Sequence, residues 1–287
     1  MNNITLGKYV PYNSFIHRLD PRSKLLSMIV LMVCIFFKFA SVAMNFLMYG
    51  VLFIFIYIIM RIAHIKLRML FSQLKAMWVM IIILLIINIL VKGDPSMETI
   101  DVFNTGWIIY YSAIYNTLYI VFRLIIMLGL TLVLTATTKP LELTNALEWF
   151  MAPLKVIHFP VHEIAMTISL ALRFIPTLLE ETDRIMKAQA SRGVDFQNGK
   201  FSEKIRAIIS LIVPLFISAL QRSEELANAM EARGYDPSAK RTKYRVSKWK
   251  VGDTISSLVV LLILGGCIAL MVTKLDLVSL IISLFMR

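Results

Sequence analysis

The stretch ISLALRFIPTLLEETDRIMKAQASRGVD, residues 168–195, is matched 41 residues later by ISLIVPLFISALQRSEELANAMEARGYD, residues 209–236. The two align without a gap. Identities fall at Ile168/Ile209, Ser169/Ser210, Leu170/Leu211, Leu179/Leu220, Ala188/Ala229, Arg192/Arg233, Gly193/Gly234 and Asp195/Asp236. Each copy is an apolar half, then a charged, helix-favouring half, then a small or polar residue, Arg and Gly. The Gly is a helix stop, because it takes the left-handed conformation after the last helical residue cheaply. An Arg beside that stop projects from a helix C-terminus, where the dipole favours positive charge. A single such end reads as an ordinary cap. Two at equal offset, each with Asp two residues beyond the Arg, read as equivalent prongs for two equivalent partner grooves. Truncating an Arg anchor of that kind commonly costs at least about 2 kcal/mol.

The fold turns on whether the apolar halves cross a membrane. Residues 163–179 contain Arg173 and Pro176, and residues 205–220 contain Arg206 and Pro214. Both runs are short of the roughly 20 apolar residues that a crossing needs. If each crossed once, Arg192 and Arg233 would face opposite compartments. Arg184, Lys187, Lys200, Lys204 and Arg206 would then lie outside, against the positive-inside rule. The sequence therefore predicts two long helices lying against the cytoplasmic face, with their apolar ends tucked under the membrane or a partner.

The rest of the chain is membrane protein by composition. Its 287 residues are 58% hydrophobic and only 17% charged, with a mean hydropathy of +0.75, well outside soluble norms. Spans are expected at about 25–40, 42–60, 77–91, 107–134 and 255–272, with Lys38 near the first turn. The run 275–286 is too short to cross alone. Tyr110, Tyr111, Tyr115 and Tyr119 form an aromatic belt at one interface. Lys8, Arg18, Arg22 and Lys24 precede the first span, and Arg61, Lys66, Arg68 and Lys75 follow the second. Lys92 is outnumbered by Asp94, Glu98 and Asp101 after the third. Positive-inside counting puts the N-terminus, the 61–76 loop and the main body after span four in the cytoplasm.

The predicted fold class is thus an all-α integral membrane protein, with about five transmembrane helices plus long cytosolic coupling helices. The expected domains are a cytoplasmic N-terminal segment 1–24, transmembrane helices 25–135, a cytosolic coupling domain 136–250 and a C-terminal span 251–287. The net charge of +12 belongs to this topology rather than to nucleic acid. The basic run 240–250, with Tyr244 and Trp249, reads as the flank of the last span. Residues 1–24 lack the apolar core of a signal peptide. Cys34 and Cys267 each lie in an apolar run, which excludes a disulfide scaffold.

Catalytic and cofactor signals are missing. No Gly-x4-Gly-Lys-Ser/Thr loop exists, so no ATP site of that type is expected. His158 and His162 flank Pro160 without a zinc pattern and read as loop histidines. The spans lack the acids that ion-coupled carriers keep at membrane depth. Arg123, the charge well inside a span, either faces another helix or a partner, or snorkels to the cytoplasmic interface. Asn45 and Asn88 are candidates for interhelical hydrogen bonds. The rival reading is a stand-alone membrane carrier or enzyme using Arg123 and the histidines at 158–162.

These features resemble the transmembrane T component (EcfT) of energy-coupling factor transporters, over essentially the whole chain. The resemblance is sharpest through TTKPLELTNALEWFMAPLK (137–155), PVHEIAMTISLALRFIPTLLEETDRIMKAQASRG (160–193) and VPLFISALQRSEELANAMEARGYDP (213–237). It points to the shared-module type that serves many substrate subunits. The first motif has Ser191 where the family commonly has Ala, an equally small residue. The resemblance implies a non-catalytic subunit of an ATP-driven vitamin importer in the bacterial plasma membrane. Its partners would be two ATPases (A and A′), exchangeable substrate-binding S components and membrane lipid, with no nucleic acid, cofactor or metal. Ser191, Arg192, Gly193, Ala232, Arg233 and Gly234 would dock the ATPases. Met166, Leu170, Phe174, Pro176, Leu211, Pro214 and Phe216 would contact the S component.

Overall fold

The computed structural model describes residues 10, 12–37, 39, 41–90, 99–102, 107–196, 200–236, 239 and 249–273, with backbone alone at 89–90, 99–102 and 107–114. The expected turn at Lys38, the loop charges Lys92, Asp94 and Glu98, most of the basic run 240–250 and the run 275–286 lie outside these residues. The chain divides into two compact units, Met1–Ala146 with Ser247–Arg287, and Leu147–Val246.

The first unit is helical. Helix α1 spans Pro21–Ile35. It begins before the expected span because Asp20 caps it, its carboxylate accepting the Arg22 N–H at 3.0 Å, and Pro21 suits the first helical position. It ends at Ile35, five residues short of the expected boundary. Helix α2, Val42–Ile62, starts where the Ser41 hydroxyl accepts the Met44 N–H. The expected third span corresponds to α4 (Trp78–Leu90), which is preceded by a separate helix α3 (Leu67–Ala76) at a 57° bend. Much of the 61–76 loop is therefore helix. The fourth span starts later than expected. Strands β1 (Thr99–Val102) and β2 (Trp107–Tyr110) form an antiparallel hairpin with Thr99 opposite Tyr110, and α5 runs only from Tyr111 to Thr137. Trp-Ile-Ile-Tyr suits a strand as well as a span, and hydropathy alone does not separate the two. Helix α6 covers Pro140–Met151, and α9, Val251–Thr273, closes the chain.

Helices α1, α2 and α5 pack around Ile35, Leu52, Met60, Ile126 and Leu132, all nearly inaccessible to solvent. A second cluster joins Cys34, Met44 and Cys267. Polar ties fix the ends. Lys24 Nζ donates to the carbonyl of Thr137 at 2.9 Å and of His17 at 3.2 Å, covering a carbonyl that the α5 C-terminus leaves unpaired. Ser23 Oγ meets Ser256 and Ser257 Oγ at 3.2 and 3.1 Å, and such small polar residues let α1 and α9 approach closely. Asn88 does hydrogen-bond between helices, to Thr117 at 3.2 Å. Asn45 instead holds the turn before α2, bonding Phe39 and Ser41.

Arg123 packs inward. Its Nη2 donates to Tyr119 Oη at 2.8 Å and reaches Tyr49 Oη at 3.5 Å, while its guanidinium sits 4.9 Å from the Phe36 ring centre. Of the two roles open to it, facing neighbouring helices is the one observed.

In the second unit, a 3-10 turn at Ala152–Ile157 leads into two long helices, α7 (Val161–Ser191) and α8 (Phe201–Ala232). By length and composition, four helices qualify as membrane spans: α2, residues 115–137 of α5, α7 and α9. The bent α3–α4 pair makes a fifth if it counts as one span. The protein is an all-α, multi-pass membrane protein. Helix α7 is thus long and apolar enough to cross, whereas its apolar half was expected to lie along the cytoplasmic face.

Candidate functional site

The repeat is a repeat of backbone geometry as well as of residues. At the end of α7, the Val194 N–H donates to the Gln189 carbonyl at 3.1 Å and the Gly193 N–H to the Ala190 carbonyl at 2.9 Å. At the end of α8, Tyr235 donates to Met230 at 3.0 Å and Gly234 to Glu231 at 2.9 Å. Every donor and acceptor in the second set lies 41 residues beyond its counterpart. Both are Schellman motifs, in which a left-handed residue turns the chain back onto the last carbonyls. Gly193 has φ +87° and Gly234 φ +73°, and a side chain at either would meet no heavy atom within 4 Å. Conformation, not space, requires glycine at both. Arg192 and Arg233 sit at the C-cap positions immediately before these glycines. Both are exposed, with no side-chain hydrogen bond among the described residues. Ser191 differs from Ala232 in bonding back to the Lys187 carbonyl at 3.1 Å.

The two helices run in opposite directions along their contact. Gln189 reaches the Ser210 carbonyl at 3.5 Å, whereas Glu181, further back on α7, bonds Ser218 and Arg222, further along α8. Glu181 and Arg222 are themselves repeat equivalents (222 − 181 = 41). A contact between equivalent positions of two copies marks a local two-fold axis. Each Arg-Gly end lies 11 residues past it (192 − 181 and 233 − 222), so the ends point away from each other on arms of about 16 Å at the helical rise.

The apolar halves differ between copies. Helix α8 exposes Ile205, Ile208, Ile209, Ile212, Phe216 and Leu220, with Phe216 at 62% of its full accessibility. Among the contact residues expected on this helix, Phe216 belongs to that face while Leu211 and Pro214 are half-buried. On α7, Met166, Leu170 and Phe174 are half-buried and Pro176 is exposed. The sequence reading missed Ile205, Ile208 and Ile212, although their three- and four-residue spacing marks one helix face.

His162 lies in the first turn of α7 rather than in a loop, its Nδ1 3.4 Å from Glu148 Oε1. His158 takes a left-handed conformation at the end of the 3-10 turn. Among the described residues no three His, Cys, Asp or Glu side chains gather as a metal site requires.

The family model described as "CbiQ: Cobalt transport protein" matches residues 12–244. The energy-coupling factor transporter transmembrane protein EcfT of Macrococcus caseolyticus is 42% identical over 259 residues, 90% of this chain and 94% of that protein. The protein of the same name from Bacillus subtilis is 42% identical over 264 residues, covering 91% and 96%. That of Staphylococcus aureus is 43% identical over 256 residues, covering 89% and 92%. With this coverage, the chain belongs to the CbiQ family and, within it, to the EcfT transmembrane components of energy-coupling factor transporters.

Proposed function

We propose that this chain is the scaffold that transmits ATP-driven closure of two ATPase subunits to an exchangeable substrate-binding membrane subunit, moving a vitamin or similar micronutrient inward. One observation carries the reading. Two helix ends with the same bonds and the same Arg stand at equal distances from a local two-fold axis, and such ends suit two equivalent grooves on paired subunits. Arg192 and Arg233 are the anchors, flanked by Ser191, Gly193, Ala232 and Gly234. Each Arg stands on a rigid cap, so docking costs the side chain's rotamer freedom but requires no ordering of the backbone beneath it.

In this reading, ATP is hydrolysed in the partner subunits, and residues 136–250 form the cytosolic coupling body between the spans of 25–135 and the closing span of 251–287. The N-terminus is cytoplasmic, as the basic flanks Arg18, Arg22 and Lys24 favour. Although α7 is long enough to cross, crossing would carry its Arg-Gly end to the far side of the membrane, away from ATPases that work in the cytoplasm. It would also set the basic residues Arg184, Lys187 and Lys200 against the positive-inside rule. The substrate subunit contacts Met166, Leu170, Phe174 and Pro176 on α7 and the exposed row from Ile205 to Leu220 on α8. Phe216 is its centre, with Leu211 and Pro214 half-buried beside it. An apolar, side-chain-rich face of this kind allows one partner to be exchanged for another.

The test is a pull-down of the tagged full chain from its own membranes in mild detergent. The wild type should bring down two ATPases and a mixture of small membrane proteins. R192E/R233E should lose the ATPases while remaining membrane-inserted. Retention of both ATPases by the double variant would sink the docking assignment.

A further inference from the structure

We propose that Glu181, Ser218 and Arg222 form a pivot that sets the spacing of the two Arg-Gly ends. This rests on the reading that those ends dock partners, and it adds what positions them. Glu181 Oε1 accepts the Ser218 hydroxyl, and its Oε2 accepts Arg222 Nη2 at 3.0 Å. The guanidinium also lies 6.0 Å from the Phe174 ring centre. Among the described residues this is the ion pair that joins α7 to α8.

Two features separate it from ordinary helix packing. It lies on the local two-fold axis, because Glu181 and Arg222 hold the same place in their copies. It is half-buried, with side-chain exposures of 21% and 30%, yet Arg222 Nη1 is buried with no hydrogen-bond partner. A half-buried ion pair with one nitrogen left unpaired contributes little to stability alone, since well-packed apolar residues commonly hold as tightly. What the charges add is direction: the carboxylate fork fixes where α8 crosses α7, while apolar neighbours slide past one another. The equivalent placement of the pair also makes the arms on either side equal, at 11 residues. A rotation about this point moves Arg192 and Arg233 by equal amounts in opposite senses. Loss of the point would let one end move without the other.

Glu181 and Arg222 are positioning residues, and the test reads position. In a C34A/C267A background, spin labels at Lys187→Cys and Asn228→Cys, exposed repeat equivalents, report the distance between the charged helix halves in the full chain purified with whatever subunits accompany it. The wild-type pair should give one narrow distribution. Glu181→Ala and Arg222→Ala should each broaden it about twofold, and the charge-swapped E181R/R222E should be narrower than either single variant, as a coupled pair requires. Unchanged widths in the single variants, or a swapped pair as broad as they are, would overturn the proposal. ATPase co-purification in the same preparations reports separately on docking. If the unsubstituted chain brings down none, the docking reading fails while the widths still decide the pivot.

Discussion

The backbone N–H of Asp20 donates to Oδ1 of Asp253 at 2.6 Å, joining residues 233 apart in the chain. The other oxygen, Oδ2, accepts the Lys250 N–H at 2.8 Å. One fully buried carboxylate thus serves the starts of both α1 and α9.

Asp253→Ala should be among the most damaging substitutions in the chain. It leaves two backbone donors without acceptors, each costing roughly 1–3 kcal/mol when buried. Asp253→Asn, which keeps one acceptor oxygen, should fall between the two. Thermal unfolding in detergent checks the order, and an alanine variant as stable as the wild type would contradict it.

Gly193→Ala and Gly234→Ala should each loosen a helix end. An L-residue in the left-handed conformation costs about 1–2 kcal/mol, and Asn less. The amides of Val194 and Tyr235 should then exchange hydrogen at least about fivefold faster in the alanine variants, with the Asn variants intermediate. The open space around both positions makes overpacking an insufficient explanation for the loss.

His17 should make stability fall in mild acid. Its Nε2 lies 3.0 Å from the Val10 carbonyl and its Nδ1 2.7 Å from Ser14 Oγ, a pattern that suits neutral imidazole with the proton on Nε2. Burial is the main cause that holds its pKa below the usual 6.5. The unfolded chain therefore binds the proton more readily, so stability is present above about pH 6.5 and declines as pH falls below it. His17→Gln should flatten the dependence of unfolding temperature on pH between 7.5 and 5.5, as read by a scan at each pH.

Arg123→Lys should not substitute for arginine. Lysine offers a point charge, whereas Arg123 bonds Tyr119 and lies over the Phe36 and Tyr119 rings at 4.9 and 4.8 Å. Loss of a charged hydrogen bond costs about 1.5–3 kcal/mol. The Lys and Met variants should therefore lower the unfolding temperature by similar amounts, and full retention by Lys would show that charge alone suffices.

Sequence reading succeeded where the signal is local. Hydropathy located α2, α5 and α9, and Gly193 and Gly234 marked helix stops because one residue decides a Schellman turn. It failed where a distant partner decides. The role of Asp253 depends on the start of α1, 233 residues away, whose Asp20 N–H it accepts; Asp20 and Pro21 are by contrast a local start signal for α1 that hydropathy passes over. The bend at Met77 falls where the basic, amphipathic α3 gives way to the apolar α4, and hydropathy marks only the second of the two. The hairpin at 99–110 competes with a helix on equal hydropathy. The Glu181–Arg222 pair was written in the alignment as opposite charges at one repeat position, but its meaning needs the antiparallel sense of the two helices.

That antiparallel sense has a consequence for assembly order. Two helices related by a two-fold axis offer the same plug at each end, with opposed dipoles and equal reach, so the caps themselves carry no address. Under the docking proposal, non-identical partners are told apart by what differs beside the caps, chiefly Ala190-Ser191 against Glu231-Ala232, and Val194 against Tyr235. Exchanging these two pairs while leaving both arginines in place would scramble which partner sits where without weakening either attachment.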